Sequence, residues 1–261
     1  YGDMSNRVMN ILQQYSPECE IYSIDEAFLK LVGFEQFDLH SYGVEMSQKV
    51  KTWTGIPVSV GIAPTKALAK IANRIAKKYP DRTKTCYVMD DEEKRIKALK
   101  WLDIEDVWGV GRQHAKRLRS IGVRKAYDFT QLEDAWVKRN MSVVGLRLKR
   151  DLMGIATLDL EDIKPKKNIA TTRSFERNLT KLEEIQERIV TFSVSCAEKL
   201  RKQNASCNAL CVFIRTNTHR QDLQQYANST VIKLPYPSSS SIEIAKFALL
   251  ALDQIFVPGL Y

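Results

Sequence analysis

The chain has 261 residues, and 40 Lys and Arg against 31 Asp and Glu leave a net charge of +9. With 44% hydrophobic and 27% charged residues it is an ordinary globular sequence that can bury a sizeable core, and its length allows one large domain or two to three small ones. The positive balance suits a polyanion such as nucleic acid, and no apolar run is long enough to span a bilayer, because Glu243, Lys246 and Asp253 break the greasiest stretch.

The first hundred residues alternate helix and strand. Met4, Val8, Met9 and Leu12 have helical spacing, so Ser5 to Gln14 is predicted helical. Glu20 to Val32 is rich in β-branched and aromatic residues and reads as extended. Leu39 to Trp53 is helical and ends at Thr54-Gly55, and Ile56 to Ala63 is a buried type of strand. Pro64-Thr65 opens a helix that Pro80 should stop. This order predicts an α/β sandwich on one sheet. From about Lys100 to Ile163 the strand signal vanishes, and short helical stretches alternate with Gly109, Gly111, Gly122, Gly145 and Gly154, which predicts an all-helical unit. Lys164 to Lys167 is basic and Pro-interrupted and reads as a linker. Then follow strand Ile169 to Phe175, helix Leu182 to Lys202, strands Ala209 to Thr216 and Ser229 to Leu234, and helix Ser241 to Phe256. That order lacks only a last strand to be a ferredoxin-like β-α-β-β-α-β unit. Tyr1 stands almost inside a helical pattern and Pro258-Gly259-Leu260-Tyr261 closes the chain just after one, so both ends are expected to be cuts in a longer protein.

Two adjacent carboxylates, Asp25 and Glu26, lie in Tyr22-Ser23-Ile24-Asp25-Glu26-Ala27-Phe28. On a regular strand they would point to opposite faces. A tight turn over Ser23 to Glu26 would make Glu20 to Ile24 and Ala27 to Val32 a hairpin and bring both to one tip. Such a tip could bind Mg²⁺, which takes a few carboxylates plus substrate phosphates; it could equally be a solvated turn. On the helix after Pro64, Lys66, Lys70, Arg74 and Lys77 fall within roughly an 80° arc, opposite Leu68, Ile71 and Ile75. The only acid between Ala63 and Lys84 is Asp81, so this single-sign stripe is expected to face outward, toward phosphates.

Val107-Trp108-Gly109-Val110-Gly111 precedes Arg112, Lys116, Arg117 and Arg119, then Ile121-Gly122-Val123. The two glycines permit a tight turn with exposed N–H groups at a helix start, which suits a phosphate oxygen and matches a helix-hairpin-helix; the other reading is a purely structural turn. Thr171-Thr172-Arg173-Ser174-Phe175 alternates hydroxyls and cations, and Thr171, Arg173 and Ser174 could track a backbone or line a polar sheet surface. Trp53, Trp101, Trp108 and Trp136 are expected in cores, and the three histidines carry no catalytic role. The five cysteines are scattered without zinc spacing and read as reduced thiols in the cytoplasm; no charged-then-apolar start marks a signal peptide.

Taken together these residues resemble a Y-family translesion DNA polymerase over nearly the whole chain. The likeness rests on Asp3 to Met9, Glu20 to Phe28, Val60-Gly61-Ile62-Ala63 before Thr65-Lys66, Leu68-Ala69-Lys70, Asp106 to Arg112, and Arg173-Ser174-Phe175. The resemblance implies an α+β multidomain fold. Residues 1–100 would be a partial palm (ferredoxin-like α/β), 101–163 an all-α helix-hairpin-helix thumb, 164–168 a linker, and 169–261 a ferredoxin-like β-α-β-β-α little finger, C-terminally incomplete. It implies that Asp25 is a ligand of the catalytic metals, that Glu26 assists beside the primer 3′ end, and that Lys77 contacts the triphosphate of the incoming nucleotide. DNA would be gripped through Lys66, Lys70, Gly109, Gly111, Arg112, Lys116, Thr171, Arg173 and Ser174. The implied reaction is template-directed nucleotidyl transfer with two Mg²⁺ ions, in a bacterial cytoplasm, during the SOS response to DNA damage. Implied partners are primer-template DNA, dNTP, a processed UmuD subunit, a recombinase filament and a sliding clamp, with no membrane. The family's earlier Asp-containing motif and its fingers have no match here, so the chain by itself is expected to be inactive and to bind DNA. Two other readings stay open. One is a non-catalytic DNA-binding module. The other is a palm-type nucleotidyl cyclase, whose acid pair would follow two glycines where Tyr22-Ser23-Ile24 stands.

Overall fold

The computed structural model describes residues 1–34, 36–161, 167–259 and 261. The chain divides into two compact units, Tyr1–Ile163 and Lys164–Tyr261.

The first unit opens with helix α1 (Gly2–Leu12), followed by a hairpin of β1 (Cys19–Ile21) and β2 (Ala27–Leu29). The pairing is antiparallel, with Ile21 opposite Ala27. Helix α2 (Leu39–Thr54) is capped by the Asp38 carboxylate on the His40 and Ser41 amides and ends at left-handed Gly55. Val8, Ile11 and Tyr15 meet Met46 and Val50 in a small core beneath the hairpin. Strand β3 (Val60–Ile62) leads into α3 (Lys66–Lys78), whose N-cap Thr65 accepts from the Leu68 amide. The approach of α3 to β3 depends on Gly61, because a Cβ there would lie 2.1 Å from the Asn73 amide nitrogen. Pro80 stops α3 as expected, and as a first-turn residue it also starts the short α4 (Pro80–Thr83). Strand β4 (Cys86–Val88), which sequence reading missed, pairs parallel with β3.

The single sheet expected for this region is therefore corrected. Among the described residues of this unit there are two two-stranded sheets, one antiparallel and one parallel. Each ladder is only three residues long, and the hairpin and the β-α-β crossover satisfy their strands separately.

Helix α5 (Glu92–Trp101) and a 3-10 turn (Ile104–Asp106) follow, then α6 (Arg112–Ser120), α7 (Ala126–Thr130) and α8 (Asp134–Leu152). The helical region is present as predicted, with α8 interrupted at Ser142, which sits at φ 63 and ψ −169. No separate core begins at residue 101. Leu68, Ile71 and Ala72 of α3 share one apolar cluster with Leu99, Ile104, Leu118, Phe129, Val137 and Leu152. Thr65 Oγ1 also donates to the Asp151 carbonyl at 2.8 Å. Both halves of this unit are thus built on α3.

The second unit holds α9 (Leu182–Lys202), β5 (Cys207–Arg215), β6 (Ala227–Ser238) and α10 (Ser241–Ile255), close to the predicted bounds. The strands pair antiparallel, with Cys211 opposite Val231. Ile185 from α9 and Ala251 and Leu252 from α10 pack against Val212 and Ile214. The strand expected at Ile169 to Phe175 is absent: the segment forms no ladder. It lies along α9 instead, where Lys199 Nζ donates to the Ala170 carbonyl and to Thr171 Oγ1, each at 2.9 Å. Of the predicted linker at 164–168, Lys164 to Lys166 lie outside the described residues.

Candidate functional site

The expected hairpin tip is present. Tyr22 and Ser23 amides both donate to the Glu26 carbonyl at 3.0 Å, closing a turn that leaves Asp25 and Glu26 exposed. Ser23 Oγ donates to Asp25 Oδ1 at 2.6 Å. Glu26 is not free: Lys70 Nζ donates to its two oxygens at 2.8 and 2.9 Å.

That contact corrects the picture of α3 as an outward basic stripe. Lys66 Nζ lies 2.5 Å from Glu20 Oε2, with side chains only 10% and 9% exposed. Glu20 also accepts from the Glu161 amide at 2.7 Å. Arg74 pairs with Asp106 at 2.6 Å. Three cations of the stripe therefore face a row of carboxylates contributed by the hairpin and the 3-10 turn. The local absence of acids concealed this, because the partners come from distant segments. Lys77 is exposed at the C-terminal end of α3 and, among the described residues, has no ion pair.

The Gly109 turn is different. Val110 N–H bonds back to the Val107 carbonyl at 3.0 Å, with Gly109 at φ 89 in the position that favours glycine. Val107 and Val110 anchor the turn in the core. Gly111 is the N-cap of α6 and supplies no side-chain acceptor to the first amides. Nothing lies within 4 Å of where a Gly111 Cβ would be. Arg112 and Lys116 are exposed and, among the described residues, unpaired. Farther along α6, Arg119 pairs with Glu105 and Arg117 donates to the Asn140 carbonyl at 2.7 Å. The start of α6 thus presents bare N–H groups, the positive end of the helix dipole and two free cations on one rim.

In the second unit Arg173 and Ser174 are exposed. Thr171 is partly covered, and its hydroxyl is occupied by Lys199 and by Cys196 Sγ at 3.3 Å.

Aromatic placement was the least legible feature. Trp53 is 62% exposed, under Lys49 Nζ at 4.8 Å from its ring, rather than in a core. Trp108 is half-buried, and its Nε1–H donates to Tyr22 Oη at 3.0 Å, joining the Gly109 turn to the hairpin. Nothing in the sequence pairs residues 86 positions apart.

For metal binding, Asp25 and Glu26 are hard oxygen donors of the kind Mg²⁺ takes. Their number does not meet a two-ion requirement, and both Glu26 oxygens already hold Lys70. Among the described residues no group of three or more His, Cys, Asp or Glu is placed to hold an ion. No helix among them is long and apolar enough to cross a membrane.

Comparison with known proteins supplies the context for this geometry. Residues 1–74 match the impB/mucB/samB family, and residues 166–261 match the impB/mucB/samB family C-terminal domain. The UmuC protein of Salmonella typhimurium is 36% identical over 261 residues, covering 99% of this chain and 62% of that relative. A DNA polymerase IV of Saccharolobus solfataricus is 34% identical over 192 residues, covering 71% of this chain and 52% of the relative. Among solved structures, a Y-family DNA polymerase chimera superposes with a TM-score of 0.68 at 22% identity, covering all of this chain and 73% of that one. The chain thus spans somewhat under two thirds of the length of the curated relatives it matches. With family matches at both ends and this fold between them, the chain belongs to the impB/mucB/samB family and has the mixed α/β fold of the Y-family DNA polymerases.

Proposed function

We propose that the chain is the DNA-gripping part of a translesion DNA polymerase that copies past damaged bases. In this reading residues 1–100 are palm, 101–163 thumb and 169–261 little finger. The observation that carries it is the start of α6, where the Gly109 to Gly111 turn, uncapped amides and unpaired Arg112 and Lys116 form a rim suited to phosphate oxygens. Contacts of this kind position a duplex without reading its sequence. Exposed Arg173 and Ser174 would add phosphate contacts from the second unit.

In the parent reaction a primer 3′-hydroxyl attacks the α-phosphate of an incoming nucleotide and releases pyrophosphate. Asp25 and Glu26 are exposed at the hairpin tip and Lys77 is exposed at the end of α3; in this reading the acid pair would hold the metal and Lys77 would contact the triphosphate. When bound, Mg²⁺ would neutralise the charge that develops on the phosphates. The donor set described above does not meet the needs of two ions. The same fact favours a second reading for the chain by itself, a DNA-binding module without catalysis. The processed UmuD subunit, a recombinase filament and a sliding clamp remain proposed partners of the parent, on family likeness alone.

Anisotropy titration with two unrelated labelled duplexes tests the reading. Equal affinities are expected, near the ~10⁻⁴–10⁻⁶ M typical of non-specific binding at physiological salt. A preference between the duplexes, or no binding by either, would contradict it. Primer extension in Mg²⁺ is expected to be absent. Extension abolished by Asp25→Ala would show that this chain holds a complete active site.

A further inference from the structure

The hairpin that carries Asp25 and Glu26 is tied to the Gly109 turn by one hydrogen bond and a ring cluster. Trp108 Nε1–H donates to Tyr22 Oη at 3.0 Å. Tyr22 stands edge-on to Trp108 and to Phe28, each at a centroid distance of 5.6 Å, and Phe28 lies 5.9 Å from Trp108. Lys70 Nζ sits 5.3 Å from the Tyr22 ring and 5.7 Å from the Trp108 ring while it holds both Glu26 oxygens. Tyr22 and Glu26 are also joined through the backbone, Tyr22 N–H donating to the Glu26 carbonyl. On the other side, Trp108 directly precedes Gly109, whose left-handed φ fixes the direction in which the turn presents its amides.

We propose that Tyr22 and Trp108 are positioning residues that couple phosphate engagement at the Gly109 to Gly111 turn to the placement of the Glu26 carboxylate. The inference rests on the reading of that turn as a phosphate rim. A phosphate drawn onto the Gly111 amide pulls on the turn and, through Gly109, on Trp108 and its indole. The indole moves the Tyr22 hydroxyl, and Tyr22 shares the hairpin closure with Glu26. Lys70 is the second link, because it contacts both rings and the carboxylate. Loss of the Trp108–Tyr22 bond leaves each end intact but leaves only the ring contacts and Lys70 to join them. A net hydrogen bond shifts a local equilibrium about two- to tenfold, so the coupling should weaken by that factor.

The experiment is an amide NMR titration of the full chain with a short duplex. In the unmodified protein the Gly111 amide, the Trp108 indole and the Glu26 amide should shift along one binding curve. Trp108→Phe and Tyr22→Phe both keep a ring and remove one side of the hydrogen bond. In either variant the Gly111 shift should persist, while the Glu26 shift falls at least about twofold. The amide spectrum reports whether each variant is folded, and either one suffices. A Glu26 shift of undiminished size in both variants would overturn the coupling and leave the phosphate rim standing, as would a silent Glu26 in the unmodified protein while Gly111 moves. A silent Gly111 would overturn the rim itself, and the coupling with it.

Discussion

Helices α3 and α6 carry similar runs of cations but use them in opposite ways. On α3 the Lys66, Lys70 and Arg74 charges meet Glu20, Glu26 and Asp106, and the helix serves as the seam on which both halves of the first unit are built. On α6 the cations nearest the N-terminus, Arg112 and Lys116, have no partner among the described residues. A basic stripe is therefore not evidence of phosphate contact until the carboxylates across from it have been found. Burial separates the two helices as well. Lys66 is nearly enclosed, and taking an ion pair out of water is costly unless geometry and added hydrogen bonds compensate, as the Glu161 amide does for Glu20.

The largest effect expected from breaking this arrangement is at Gly61. Gly61→Ala would drive a Cβ into the backbone of α3 and should destabilise the protein by about 5 kcal/mol or more. Gly111→Ala, in open space at φ −78, loses only N-cap preference and should cost no more than about 1 kcal/mol. Chemical denaturation of the two variants side by side checks the contrast. Next is Lys66→Ala, which leaves Glu20 charged and buried and should cost about 3–5 kcal/mol. Lys70→Ala removes a pair 23% and 45% exposed and should cost only about 0.2–1 kcal/mol. Equal losses for the two would mean that α3 is not graded from buried seam to exposed tip.

The smallest effect lies away from both helices. Burial first, and then the hydrogen bond to Glu45, push the Tyr15 phenol from 10.0 up to about 12. The folded state thus holds this proton more tightly than the unfolded chain does. Its contribution to stability is complete below pH 10 and is lost as pH rises toward about 12. Tyr15→Phe should flatten the decline of stability over that window, with duplex affinity unchanged at neutral pH. An identical alkaline decline in the variant would remove Tyr15 as its source.

Local signals were legible and long-range ones were not. The helices with clear caps and breakers, such as α2 between Asp38 and Gly55, fell within a residue or two of their predicted bounds. The hairpin turn at Ser23 to Glu26 could be read because two adjacent acids between strand-forming runs make a regular strand implausible. The three-residue β4 offered too short a pattern, and the strand expected near Arg173 was a polar alternation without a partner edge. At the site, the Gly109 turn showed in the sequence because its glycine demand is local. The Lys70–Glu26 and Tyr22–Trp108 contacts span 44 and 86 positions and depend on how α3 packs. No spacing rule reaches that far.

The division of labour between the two helices can be measured directly as the salt dependence of duplex binding. Each phosphate neutralised contributes about −0.9 to the slope of log K against log salt. Replacing Arg112 and Lys116 together by alanine should flatten that slope by about one to two units and weaken two unrelated duplexes alike. Lys70→Ala, whose charge is already matched by Glu26, should leave the slope unchanged. A slope that survives the Arg112 and Lys116 replacements but collapses in Lys70→Ala would contradict the account and assign the phosphates to α3.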